Sequence, residues 1–308
     1  MIRHALTKGL KVRAWTFDEL YGRDSKFLDG LDELGEGYVA EIPADTELWT
    51  SKPNLTRRQP VKREKRGRKQ NTPRIVRSRP ACEVRNLIRY SSKFQKQDWQ
   101  RYHIKDTDKG PEVWEVKWLR VWRKTQDKLP SRQQTLIVAR NVRTGEMKFF
   151  LSNLVVGRNG VTLRCILRIA FGRWAIEACF RTAKEELGLD HFEVRGWRCI
   201  HRHYYLTGMS YLLCGRIREK LGSIGTGELT VEQVRQCINT YLTFHHLPTE
   251  NRDREFEKAL DHLHYYQTRN TTAKNSHTKT RRQLYAKMGI DVDKIKSCVL
   301  HPPTNETR

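Results

Sequence analysis

Apolar and polar residues alternate from the start of the chain. Residues 10–18, Leu-Lys-Val-Arg-Ala-Trp-Thr-Phe-Asp, have the period of two that predicts a strand, ending on Asp18. Tyr21-Gly22 then reads as a turn, and Asp24 or Ser25 supplies the N-cap of a short helix. Phe27, Leu28, Leu31 and Leu34 share one face of that helix, and Gly35 stops it. Gly37 to Pro43 predicts a second strand. A strand, a helix and a strand within about 40 residues form a right-handed crossover, so the two strands are expected to be parallel in one sheet.

Residues 112–123 alternate again and place Trp114, Trp118 and Trp122 on one side of a strand. Residues 134–141 and 147–153 flank Arg-Thr-Gly-Glu at 143–146, a hairpin signal. A β-rich segment is therefore expected over residues 80–155. Beyond it the period changes to that of a helix, with helices predicted over 162–188, 203–221, 230–242 and 280–288. The chain has no internal repeat and no heptad array.

Charge changes the picture most. Among 308 residues, 59 Lys and Arg face 35 Asp and Glu, a net charge of +24. Such a surplus attracts polyanions, of which nucleic acid is the commonest met by a soluble cytosolic protein. From Arg57 to Arg79 there are 11 basic residues and a single acid, Glu64. This run cannot bury enough apolar surface to fold alone, so it reads as a mobile basic loop. Its Lys62, Arg63, Lys65, Arg66, Arg68 and Lys69 are candidates for phosphate contact, against the plainer reading of a solvated linker. The seven cysteines lack any Cys-x-x-Cys spacing, which fits free buried thiols in a reducing compartment. No apolar run approaches a membrane span and the N-terminus lacks a signal-peptide core, so a cytoplasmic, nucleoid-associated protein is expected.

Candidate chemistry concentrates in residues 171–190. At about 100° per residue, Arg173, Arg181 and Lys184 fall within roughly 40° of Glu177, which places one carboxylate in a stripe of cations. The neighbouring stripe, Ile176, Phe180, Ala183 and Leu187, is expected to bury against a sheet. Surface ion pairs are the commoner explanation of a charged helix. Against it stand the bulky Trp174 and Phe180 beside the acid, and the excess of cations over it. Glu185 lies off the cationic stripe and Glu186 lacks the spacing to Lys. Cys199, His201 and His203 do not make a zinc cluster, because position 201 of a helix points away from 199 and 203. A phosphate loop of the Gly-x-x-x-x-Gly-Lys type is absent.

Arg173-Trp174-x-Ile176-Glu177, with Lys184 seven residues after the acid, resembles the third signature of insertion-sequence transposases with an Asp-Asp-Glu triad. The branch is the one with a Tyr-Arg-Glu-Lys motif. Its Tyr position falls on Ala170, beside Phe171. The continuation over 186–198 and His201-Arg202-His203 is also similar, and Thr16-Phe17-Asp18-Glu19-x-Tyr21-Gly22 resembles the segment bearing the family's second Asp. The resemblance implies an α/β fold: a ribonuclease-H-like core interrupted by a β-rich insertion, with a helical C-terminal region. The parts would be a partial core over 1–50, a basic loop over 51–79, the insertion over 80–155, the catalytic helix and remaining core over 156–222, and a helical region over 223–308. It implies metal-dependent cleavage and strand transfer on double-stranded DNA at transposon ends and target, with a homodimer as the working assembly. Asp18 and Glu177 would hold Mg²⁺, or Mn²⁺ as a substitute, and Arg173, Lys184 and Arg181 would grip phosphates.

The family also requires an earlier Asp, and no acid precedes Asp18. The expectation is therefore a core lacking its first strands, with the chain as written catalytically inert. Two alternatives remain at this point: an inactive DNA-binding remnant of a transposase, and an unrelated basic RNA-binding protein.

Overall fold

The computed structural model describes residues 1–56, 73–223, 229–244, 246 and 248–299. Helix α1 (Ile2–Thr7) leads into strand β1 (Trp15–Phe17), helix α2 (Glu19–Gly22), helix α3 (Ser25–Glu33) and strand β2 (Tyr38–Glu41). Asp24 caps α3 as expected, its carboxylate accepting from the backbone N–H groups of Lys26 and Phe27 at 2.9 and 3.1 Å. Gly35, in the left-handed region, ends the turn that follows α3. β1 and β2 are parallel, as the crossover argument requires, with Trp15, Thr16 and Phe17 opposite Tyr38, Val39 and Ala40. The strand is shorter than its alternation suggested. Leu10 and Val12 are exposed, so the start of the period-two run has nothing to pack against.

Short strands β3 (Glu47–Trp49), β4 (Leu55–Thr56), β5 (Arg74–Ile75) and β6 (Cys82–Glu83) follow, then helices α4 (Val84–Tyr90) and α5 (Ser92–Gln95). The end of the basic run is not all loop, since Arg74 and Ile75 pair with Thr56 and Leu55. Lys62, Arg63, Lys65, Arg66, Arg68 and Lys69 lie outside the described residues. The long strands β7 (Gln100–Thr107), β8 (Gly110–Lys124), β9 (Pro130–Asn141) and β10 (Met147–Ser152) complete the β-rich stretch. The predicted hairpin is present between β9 and β10. Asn141 accepts from the N–H groups of Arg143 and Thr144, and Gly145 takes a positive φ of 73°.

Among the described residues, nine strands make one mixed sheet in the order β1-β2-β10-β9-β8-β3-β6. β7 pairs with β8 and with the late strand β11 (Lys296–Ser297). The β-rich stretch thus extends the sheet begun by β1 and β2. Helix α6 (Leu163–Gly172) covers one face, its Leu163, Ile166, Leu167 and Ala170 packing with Val39, Trp114 and Ile137. On the other face Leu136, Val138 and Leu151 meet Val84, Leu87 and Phe94 from α4 and α5. Tyr38 and Ala40 meet Leu28 and Leu31 of α3. Successive residues of β9 therefore serve opposite cores, Leu136 and Val138 on one side, Ile137 and Ala139 on the other. A half-buried polar cluster joins α3 to the sheet: Arg123 pairs with Asp29 at 2.5 Å, and Asn153 donates to Asp32 at 2.9 Å.

The remaining helices are α7 (Trp174–Leu187), α8 (Trp197–Ser223), α9 (Val231–Phe244) and α10 (Thr249–Lys287). α9 opens on a capping box, in which Thr230 and Gln233 exchange side chain-to-backbone bonds at 2.9 and 3.1 Å. α10 is far longer than the predicted 280–288. The chain divides into two compact units: residues 1–107, 111–173 and 284 onward, and residues 108–110 with 174–283. No helix among the described residues is long and apolar enough to cross a membrane. All seven cysteines are free, but only Cys214 and Cys298 are buried, and Cys199 and Cys237 are exposed. Burial pushes the Cys298 thiol up to about 11.

Candidate active site

In the first unit the site begins where β1 ends. Asp18 follows the last β1 residue and is the N-cap of α2, its carboxylate accepting from the Tyr21 N–H at 3.4 Å. The expected Tyr21-Gly22 turn is instead this short helix. Gly22 is needed for close approach: a Cβ built there would lie 1.8 Å from the carbonyl oxygen of Glu41. The rings of Phe17, Tyr21 and Phe27 cluster beside it at centroid distances of 4.9 to 5.9 Å.

The register that sets Phe17 opposite Ala40 brings the next residues, Asp18 and Glu41, side by side at the carboxyl ends of two parallel strands. That is where open α/β sheets place their ligand sites, outside the strand ends. Sequence reading missed Glu41, because Val-Ala-Glu-Ile-Pro reads as a core strand. Only the pairing with β1 reveals it. Glu41 sits between two cations, Lys148 Nζ at 3.1 Å and Arg173 Nη2 at 4.0 Å, with its side chain 19% exposed. Arg173 reaches it from the C-cap of α6.

Glu177, Arg181 and Lys184 lie in the second unit, on α7. Glu177 is exposed in the first turn, where the helix dipole favours a negative charge. Lys184 Nζ lies 4.0 Å from Asp190, and the Arg181 guanidinium is 5.7 Å from the centre of the Trp174 ring. Glu186 pairs with Arg235 of α9 at 3.1 Å, a structural tie between helices. The helix ends at Gly188, whose positive φ lets the Leu189 N–H reach back to the Ala183 carbonyl at 3.0 Å. His203 binds the Gly188 carbonyl at 2.8 Å.

Within its own unit the apolar stripe of α7 is only half buried. Ala183 is buried and Leu187 packs with Cys214, Val231 and Val234, whereas Ile176 and Phe180 are 49% and 53% exposed. α8 and α9 cover the C-terminal half of the stripe.

Among the described residues, no three His, Cys, Asp or Glu side chains gather as a group able to hold a metal ion. Asp18 directs its carboxylate at a backbone N–H, and Glu177 belongs to the other unit.

Residues 1–111 match the family model described as DDE superfamily endonuclease. The match covers about a third of the chain, and it includes Asp18 and Glu41 but not Arg173, Glu177, Arg181 or Lys184. No curated protein matches the chain. The first third is therefore similar to a class of nuclease that includes transposases.

Proposed function

We propose that the chain is a DNA-processing protein of the transposase type, directed at phosphodiester bonds of duplex DNA. The observation that carries this reading is the endonuclease-family match over residues 1–111, with Asp18 inside it at the carboxyl end of β1. The net charge of +24 supports a polyanionic substrate. The motif Arg173-Trp174-x-Ile176-Glu177 with Lys184 supports the Tyr-Arg-Glu-Lys branch, and with it strand transfer at insertion-sequence ends by a homodimer. In this reading Asp18 and Glu177 are the acids on which Mg²⁺- or Mn²⁺-dependent cleavage turns. Arg173, Lys184 and Arg181 contact phosphates, as do the basic residues between Lys62 and Lys69.

The test is nicking of supercoiled plasmid by the purified chain with Mn²⁺, alongside duplex binding. Nicking that Glu177→Gln abolishes without weakening duplex binding would support the cleavage reading and overturn the expectation of an inert chain. Nicking untouched by that substitution would move the chemistry elsewhere. A second reading, a DNA-binding protein of this class without cleavage, is favoured by the capping role of Asp18. Salt-sensitive duplex binding with no Mn²⁺-dependent nicking would select it.

A further inference from the structure

Helix α8 carries a ladder of rings that the reading above leaves unused. Trp197, His201 and Tyr205 recur every four residues, so they drift only about 40° per step and share one face. The rings follow one another in series, Trp197 to His201 at 4.2 Å between centroids and His201 to Tyr205 at 6.2 Å. Trp197 is 74% exposed and Tyr205 70%. Large rings are ordinarily worth most when covered, and the described residues of their own unit leave these two open.

Charge decides what fits there. Arg198 and Arg202 each follow a ladder ring by one residue, so they make a second row beside it, and both are exposed. Between Glu193 and Glu219 there is no acid, whereas Arg195, Arg198, Arg202, Arg216 and Arg218 fall in that interval. An arginine row without acids matches a phosphate backbone. A second copy of this chain, itself at +24, would bring like charge to it. Duplex DNA offers phosphates but hides the faces of its bases in the stack. Rings flanked by arginines can use both parts only of a strand whose bases are unpaired.

We infer that this face of α8 binds unpaired nucleotides of single-stranded DNA. Trp197 and Tyr205 stack on bases, while Arg198 and Arg202 hold the adjoining phosphates. The inference rests on the reading that the chain acts on DNA, and it names the form of DNA this face takes.

The test is fluorescence anisotropy with the full chain on three probes at one salt concentration: a labelled DNA strand of mixed sequence, its duplex, and the RNA strand of the same sequence. Trp197→Ala and Tyr205→Ala should each weaken binding to the DNA strand on the order of tenfold, leaving duplex affinity unchanged. Trp197→Phe and Tyr205→Phe, which keep a ring, should recover most of the loss. Equal losses on strand and duplex, or none on the strand, would overturn the inference. So would preference for the RNA strand. A dimer that becomes a monomer in the alanine variants with strand affinity intact would make the face a protein interface instead. Wild-type chain that binds duplex but ignores the rings defeats this inference alone. Chain that binds neither probe defeats the DNA reading with it.

Discussion

Asp18 can be claimed by two roles, and substitution separates them. As N-cap of α2 it needs only a side-chain oxygen for the Tyr21 N–H, and as a catalytic acid it needs its charge. Asp18→Asn keeps the oxygen and loses the charge, whereas Asp18→Ala loses both. Replacing an N-cap by Ala costs about 0.5–2 kcal/mol. The bond here is long, at 3.4 Å, and α2 has only four residues, which puts the cost at the low end, about 0.5 kcal/mol. For a compact unit of this size that is a fall of about 1–2 °C in melting temperature. Thermal unfolding followed by circular dichroism should show this small loss for Asp18→Ala and none for Asp18→Asn. Where the wild-type chain nicks plasmid, both variants should lose that activity equally, since both lack the charge. Nicking by Asp18→Asn at the wild-type rate would leave Asp18 a helix cap and nothing more. Equal destabilisation by Asn and Ala would refute the capping argument instead.

Other outcomes follow from the same structure. Gly22→Ala drives a Cβ into the backbone carbonyl of Glu41, 1.8 Å away, and should cost about 1–3 kcal/mol in urea unfolding; a wild-type midpoint would mean that α2 does not rest on β2. Burial holds the Asp32 carboxyl above its usual range, so the folded state binds its proton more tightly than the unfolded chain does. That contribution favours folding below the unfolded value of 3.8 and is lost as pH rises through the folded one. Asp32→Asn should therefore raise the melting temperature at neutral pH, with the gain shrinking on acidification; a gain that grows in acid would contradict the sign. Replacing Lys62, Arg63, Lys65, Arg66, Arg68 and Lys69 by Ala should lower the slope of log affinity against log salt on duplex DNA by up to about 5, at about 0.9 for each phosphate no longer neutralised. An unchanged slope would make this run a linker.

How much was legible follows from what each segment packs against. The crossover from β1 to β2, the cap at Asp24 and the hairpin after Asn141 were readable because local residues settle them: a helix between two strands, a carboxylate before a helix, an Asn and a Gly in a turn. α10 was mostly invisible, since residues 252–279 are mostly polar and largely exposed and leave no apolar period to find. Position 173 shows the limit most clearly. Helical arithmetic across Gly172, Arg173 and Trp174 sets Arg173 on one stripe with Glu177. Arg173 keeps helical backbone angles, φ −55° and ψ −39°, where α6 gives way to α7. α6 is held to the sheet by Ile166 and Leu167, so its end delivers Arg173 to Glu41, at a strand end more than a hundred residues earlier in the chain. Spacing reports which residues share a face along one element. Which further carboxylate, on another element, a cation meets is decided by the sheet register, and that is why Glu41 had to be found in three dimensions.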